Sequence, residues 1–244
     1  MANGSEQNLT KKERYELRRA AKQERYDYKA RNRLVKRIAL WSFVALGIGG
    51  IVFGVIKLGG NPSSQEKALL VDAVADSDWT KGTGDAEVIL VEYSDFQCPA
   101  CKNYYPIVKQ LTEEFADTVQ FVYRHFPLYS IHKNAEEAAW AAEAAGRQGK
   151  FWEMHDLIFE NQDEWSKEGN VKETFVSYAR DLGLNKEKFL ADFESEEVQN
   201  KVTRDYQSGI ASRVNSTPTF FLNGERIQNP RSYEEFRALI GGNP

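Results

Sequence analysis

Two cysteines, two methionines and three histidines are all that 244 residues contain. So few cysteines exclude a disulfide-stapled scaffold. A tetrahedral zinc site fits poorly as well, since it needs four ligands and His125, His132 and His155 lie at no ligand spacing from the cysteines or from one another. No internal repeat is visible, which removes solenoid architectures. Charge is missing from one stretch altogether: residues 38–56 contain no Lys, Arg, Asp or Glu.

The scarce thiols are not scattered. They stand together as Phe96-Gln97-Cys98-Pro99-Ala100-Cys101, directly after the apolar run Val88-Ile89-Leu90-Val91. A strand running into a CxxC at a helix start is a pattern for dithiol chemistry. Unpaired backbone N–H groups and the positive end of the helix dipole stabilise a thiolate at the first turn, lowering its pKa. Pro99 suits the first helical position because its φ is already helical and its missing N–H would have had no partner there. Cys101, three residues on, falls on the same helix face within disulfide reach. A purely structural disulfide fits poorly, because closing so short a loop removes little entropy from the unfolded chain.

Basic and acidic residues divide along the chain. Residues 1–37 hold twelve Lys or Arg against five acidic residues, whereas residues 57–244 hold twenty against thirty-one. The uncharged stretch between them matches a bilayer core of about 30 Å at about 1.5 Å per helical residue. Residues 38–58 therefore read as one transmembrane helix, with a basic cytoplasmic tail over 1–37 and everything after Leu58 outside, by the positive-inside rule. A cleavable signal peptide fits less well: the leader is long and the exit, Lys57-Leu58-Gly59-Gly60-Asn61-Pro62, has no A-x-A pattern. The tail reads as a topology determinant near headgroups rather than a nucleic-acid site. In an oxidising compartment spare thiols mispair, so a chain that keeps one working pair agrees with this placement.

Residues 59–84 read as a linker, with an apolar patch at Ala68 to Val74 that suits one helical turn. The folded domain is expected over 85–244. Val88 to Tyr93 suits a strand buried on both faces, Pro99 to about Asp117 a helix, and Val119 to Tyr123 a second strand, together a right-handed βαβ unit. The CxxC then lies at the carboxyl end of the first strand, where open α/β sheets place their chemistry. Residues 130–214 are helical in pattern throughout, with Asn185 and Ser195 as caps. Strands resume at Thr219-Phe220-Phe221-Leu222, turn at Asn223-Gly224 and return through Glu225-Arg226-Ile227, before a last helix capped at Ser232.

Four blocks now carry a resemblance. They are Val91-Glu92-Tyr93-Ser94-Asp95-Phe96-Gln97-Cys98-Pro99-Ala100-Cys101, Tyr123-Arg124-His125-Phe126-Pro127-Leu128, Gly149-Lys150-Phe151-Trp152-Glu153-Met154-His155 and Ser216-Thr217-Pro218-Thr219-Phe220-Phe221-Leu222-Asn223-Gly224. In this order the chain resembles the membrane-anchored, DsbA-like thiol-disulfide oxidoreductases of the thioredoxin superfamily. The resemblance covers almost the whole outer domain and none of the tail, membrane helix or linker. It implies a thioredoxin-like α/β fold with an all-helical insertion. It implies Cys98 as the exposed nucleophile, Cys101 as the buried resolving thiol, and a cis peptide at Thr217-Pro218 facing them, where an extended substrate strand can pair. It also implies Glu92 as a buried carboxylate beneath the disulfide that takes the proton of the resolving thiol. Two positions depart from the family: Ala100 stands where histidine is common, and Ser216 where glycine is common.

The function these readings point to is a dithiol oxidase that introduces disulfides into exported proteins. No cofactor beyond the Cys98–Cys101 disulfide is expected, and the implied reoxidant is a quinone-linked membrane oxidoreductase of the DsbB or VKOR-like kind. Two other readings compete. A reductase or isomerase would use the same pair in the other direction, although no dimerisation module is evident. A non-enzymatic surface-binding module would retain the fold, although the intact CxxC and Thr-Pro loop argue against it. Arg124 and His125 follow the second strand and fit a solvated loop pair as well as neighbours of Glu92. Trp140 and Trp152 read as core.

Overall fold

The computed structural model describes residues 68–241, together with four scattered helical positions before them, Lys22, Tyr28, Trp41 and Gly47. The basic tail, the expected transmembrane helix and the first part of the linker otherwise lie outside the described residues. Among the described residues no helix is long and apolar enough to cross a membrane.

Five strands form one mixed sheet: β1 (Trp79–Lys81), β2 (Val88–Ser94), β3 (Val119–His125), β4 (Thr219–Leu222) and β5 (Glu225–Arg226). Their order is β1-β3-β2-β4-β5. β2 and β3 run parallel, in register from Val88↔Val119 to Ser94↔His125, while β4 returns antiparallel on the other side of β2 with Glu92 opposite Phe220. The crossover between the parallel strands is α1 (Pro99–Glu114). At the far edge, Asn223 and Gly224 both have positive φ, 49° and 81°, as a two-residue hairpin turn requires.

Between β3 and β4 lies the expected helical block: α2 (Ala135–Gly146), α3 (Phe151–Glu160), α4 (Gln162–Trp165), α5 (Lys172–Asp181), α6 (Lys186–Phe193) and α7 (Glu196–Ala211). Asn185 and Ser195 accept N–H bonds from Lys188 and Val198, so both caps are formed as read. The closing helix α8 (Tyr233–Ile240) is likewise capped by Ser232, which accepts from the Glu235 N–H.

Strand alternation sorts the core into two layers. Leu90, Phe121, Tyr123 and Phe220 face α1 and α8, packing with Val108, Leu111 and Phe236. Val91, Tyr93, Val122 and Phe221 face the other way, with Phe126, Val214 and Tyr206. Glu92 shares its side of β2 with Leu90 and so belongs to the α1 face, the face that also receives Cys101.

The expected linker over 59–84 is corrected at its later end, and the domain starts earlier than residue 85. Trp79–Lys81 is a strand on the β3 edge. Trp79 stacks on Phe151 with ring centroids 4.3 Å apart and donates its indole N–H to Glu143 at 2.8 Å. Gly146 leaves room for this ring, since a Cβ there would sit 2.3 Å from it. The patch at 68–74 is extended rather than a helical turn: Leu69 bridges to Glu225, and the Leu70 N–H bonds Gly224 O. Burial of one indole against the insertion outweighs the polar composition that made this stretch read as linker.

Arg124 and His125 are not a solvated pair, being 3% and 1% exposed at the end of β3. Arg124 points to the face away from Glu92, where it binds Asp78 through Nε and Nη2 and donates to the carbonyls of Asp72 and Ala73 and to Tyr93 Oη. It clasps the incoming chain to the sheet. His125 bonds Glu143 at 2.9 Å, and its backbone N–H donates to Asp205, whose carboxylate also holds the Lys201 ammonium at 2.7 Å. Where His125, Glu143 and Asp205 converge, the Lys201 ammonium lies 2.7 Å from Asp205 and 3.9 Å from Glu143.

Candidate active site

The site forms where β2 ends and α1 begins. Cys98 is the N-cap residue, extended at φ −72° and ψ 122°, and Pro99 takes the first helical position. Asp95 shapes the turn between them. Its carboxylate accepts the Gln97 N–H at 2.7 Å, and its carbonyl accepts the Cys98 N–H at 3.0 Å. Such an Asx turn competes with regular structure and stops the strand. Both cysteines are free thiols, Cys98 7% exposed and Cys101 1%.

Across from them runs the loop before β4, with Thr217-Pro218 in the cis form that the resemblance implied. The Cys98 thiol approaches Thr217 O at 3.5 Å. Asn229 Nδ2 holds the Pro218 carbonyl at 2.7 Å from the far side.

The two thiols are electrostatically unlike. Cys98 is lowered to about 6, first by the hydrogen bond from Cys101, with Thr217 and the backbone N–H groups of Cys101 and Ala100 adding to it against the cost of burial. Cys101 is pushed well above its ordinary value, first by burial, then by its hydrogen bond to Cys98 and by the charges of Cys98 and Glu92. Glu92 is pushed up to about 7 by burial, with Ser94 opposing and Cys98 assisting. Ser94 Oγ and Tyr123 Oη, on the same face, are buried with no hydrogen-bond partner among the described residues. Burial is the cause of the raised Tyr123 pKa, with the charges of Glu92 and Cys101 behind it. Glu92 also borders a small cavity of about 10 Å³ shared with Lys81, Lys109, Trp152 and His155. That is about the space of one water molecule.

Every site residue read from the sequence is therefore placed in one neighbourhood: Cys98 capping α1 and Cys101 within it, Thr217 and Pro218 opposite, Glu92 behind. Several neighbours were not read. Gln162 of α4 donates to both Phe96 O and Cys98 O, at 2.6 and 3.0 Å. Gln97 donates to Ser166 O and accepts the Asn134 N–H. His132 Nδ1 lies 2.7 Å from Asp95 Oδ2, which also accepts the Leu128 N–H. Asp95 followed two residues later by Gln97 was a legible Asx-turn signal. The glutamines and His132 had none, since their partners are 37 to 69 residues away.

A reactive thiol at a helix start, a buried second thiol and a cis-proline loop facing them, carried on this mixed sheet, define a thioredoxin-fold thiol–disulfide exchange site. The chain belongs to the thioredoxin family, whose model matches residues 75–241. Its fold is that of BdbD from Bacillus subtilis in the oxidised form (TM-score 0.64, 23% identity, 72% of this chain and 97% of that one). The same fold occurs in α-DsbA1 from Wolbachia pipientis (TM-score 0.62, 18% identity, 70% and 92%). Among curated proteins, one called Na(+)/H(+) antiporter NhaA 3 in Salinispora tropica is 37% identical over 172 residues, which is 70% of this chain. The chain spans only 26% of that protein's length, so the transporter name describes a much longer molecule.

Proposed function

We propose that this protein is an extracytoplasmic dithiol oxidase that passes the Cys98–Cys101 disulfide to exported proteins. The observation that carries the reading is the asymmetry of the pair, a Cys98 thiolate stabilised near neutral pH beside a Cys101 thiol held protonated. A substrate thiolate attacks Cys98 Sγ, the S–S bond breaks, and Cys101 leaves and takes up a proton. A second substrate thiolate then attacks the substrate sulfur of the mixed disulfide, and Cys98 leaves as a stable thiolate. Two electrons pass from the substrate to the pair. Because a stable leaving thiolate favours this direction, the depressed Cys98 supports oxidase over reductase use.

Glu92 serves as the buried proton partner of Cys101, giving Cys101 its proton as it leaves and taking the proton back when the disulfide is re-formed. Its elevated proton affinity suits proton exchange with Cys101 near neutral pH, and the small cavity beside it has room for about one water. Thr217 and Pro218 present backbone to an extended substrate beside Cys98. Turnover requires reoxidation, by a quinone-linked membrane oxidoreductase of the DsbB or VKOR-like kind. Residues 38–58 would anchor the domain to the same membrane with the N-terminus in the cytoplasm.

Thiol trapping in cells tests the reading, with Cys101→Ala used to hold mixed disulfides. A pair found oxidised in the wild type, with exported proteins captured on Cys98, is the expected result. A pair found reduced would make the protein a reductase, and a Cys98 that captures nothing would favour a binding module.

A further inference from the structure

The stretch between β3 and α2 contributes a side chain to the active-site turn. His132 is 16% exposed on its side chain, and its Nδ1 meets Asp95 Oδ2 at 2.7 Å. Asp95 is buried, and its carboxylate joins this stretch to the turn that carries Cys98. Its carboxylate takes the N–H groups of Gln97 and Leu128 as well as His132, and its carbonyl takes the N–H of Cys98. Asp95 thus holds the imidazole through its carboxylate and the Cys98 N–H through its carbonyl, so a single residue ties His132 to the backbone of the thiol's turn. Between the cysteines themselves stands Ala100, which brings no charge.

We propose that His132 is a positioning residue for Cys98, an imidazolium seated on Asp95 that compensates the thiolate when Cys98 leaves a mixed disulfide. In that step the S–S bond between Cys98 and the substrate breaks, the electron pair stays on Cys98 Sγ, and no proton need reach the sulfur. The imidazolium balances the new charge through space. The His132 pKa is raised first by the hydrogen bond to Asp95, against burial, with the Asp95 and Cys98 charges adding. Glu92 of β2 acts on Cys101 from the inner side, and the Asp95 carboxylate, in the same turn as Cys98, is the negative charge on which the imidazolium is seated. Lys133 adjoins His132 on its own stretch of chain.

The inference rests on the redox use of the pair, but linkage makes it testable apart from direction or substrate. If the imidazolium favours the thiolate, the thiolate must favour the imidazolium by the same factor. Proton NMR titration of the wild-type protein in both redox forms should therefore place the His132 midpoint higher in the reduced form, by about half a pH unit, or roughly threefold in proton affinity. Identical midpoints in the two forms would overturn the proposal, and this measurement needs no variant. His132→Asn keeps a donor for Asp95 without a titrating charge. Followed by thiolate absorbance, it should leave about threefold less Cys98 thiolate at pH 5 than the wild type. A Cys98 midpoint that is low and equal in both proteins refutes the role of His132 alone. A wild-type midpoint near the ordinary 9.0 would overturn the redox reading and this proposal together.

Discussion

Glu92→Gln should make the reduced protein more stable at alkaline pH and leave it unchanged at acid pH. In the fold the carboxyl binds its proton up to about pH 7, against 4.5 ordinarily, because ionising it in the core of the sheet means losing its hydration. Between those values the folded state therefore holds more protons than the unfolded one, and stability falls as pH rises. Below about 4.5 both states are protonated and no penalty exists, whereas above about 7 it is complete. The gap corresponds to about 3 kcal/mol, taking about 1.36 kcal/mol per tenfold change in proton affinity. Glutamine is nearly isosteric and cannot ionise, so the substitution removes this cost. Urea unfolding under reducing conditions reads the difference directly. With a slope of about 2 kcal/mol per molar, the variant's midpoint should lie about 1.5 M above the wild type's at pH 8 and coincide with it at pH 4. Equal midpoints at pH 8 would mean that Glu92 is solvated, and its role as a buried proton partner would fall with that result. The same variant should abolish the pH dependence that Glu92 imposes on Cys101 alkylation.

Thiolate absorbance of the reduced wild type should titrate with a midpoint near 6, and Cys98→Ser should remove that transition while Cys101→Ser keeps a lowered one. Arg124→Ala should cost about 3 kcal/mol or more in urea unfolding, because it leaves Asp78, 5% exposed on its side chain, as a buried carboxylate without its cation. Removing residues 1–67 should leave the stability of the domain over residues 68–241 unchanged. Removing residues 1–84, and with them Trp79 and Asp78, should lower the urea midpoint by about 1 M or more.

What could be read from the residues alone follows from how local each signal is. Cys98-Pro99 at a helix start, the apolar run of β2 and the Asn223-Gly224 turn are written within a few neighbours, and the structure has them where the pattern puts them. Asn185, Ser195 and Ser232 are likewise caps decided by residues three positions away. β1 was misread because three residues of edge strand carry almost no periodicity, and what holds them is Trp79 lying on Phe151 and Gly146. Arg124 and His125 fit two readings equally well in sequence because their partners, Asp78 and Glu143, come from distant parts of the chain. The role assigned to Glu92 came from family likeness. Its setting is explained by alternation along β2, which turns the carboxylate inward with Leu90.

The bonds from Gln162 and Gln97 bear on how such a domain can be divided. The carbonyls of Phe96 and Cys98 are held by an amide from α4, and the side chain of Gln97 is held by backbone from Ser166 and Asn134. The helical block is thus part of the mould in which the redox turn is cast, and it is not a cartridge that can be exchanged. Grafting a foreign insertion onto this sheet would have to carry Asn134 and Gln162 with it, or Cys98 would be delivered in a different pose. Conversely, a ligand that shifts α4 would reach the sulfur through the backbone without touching it.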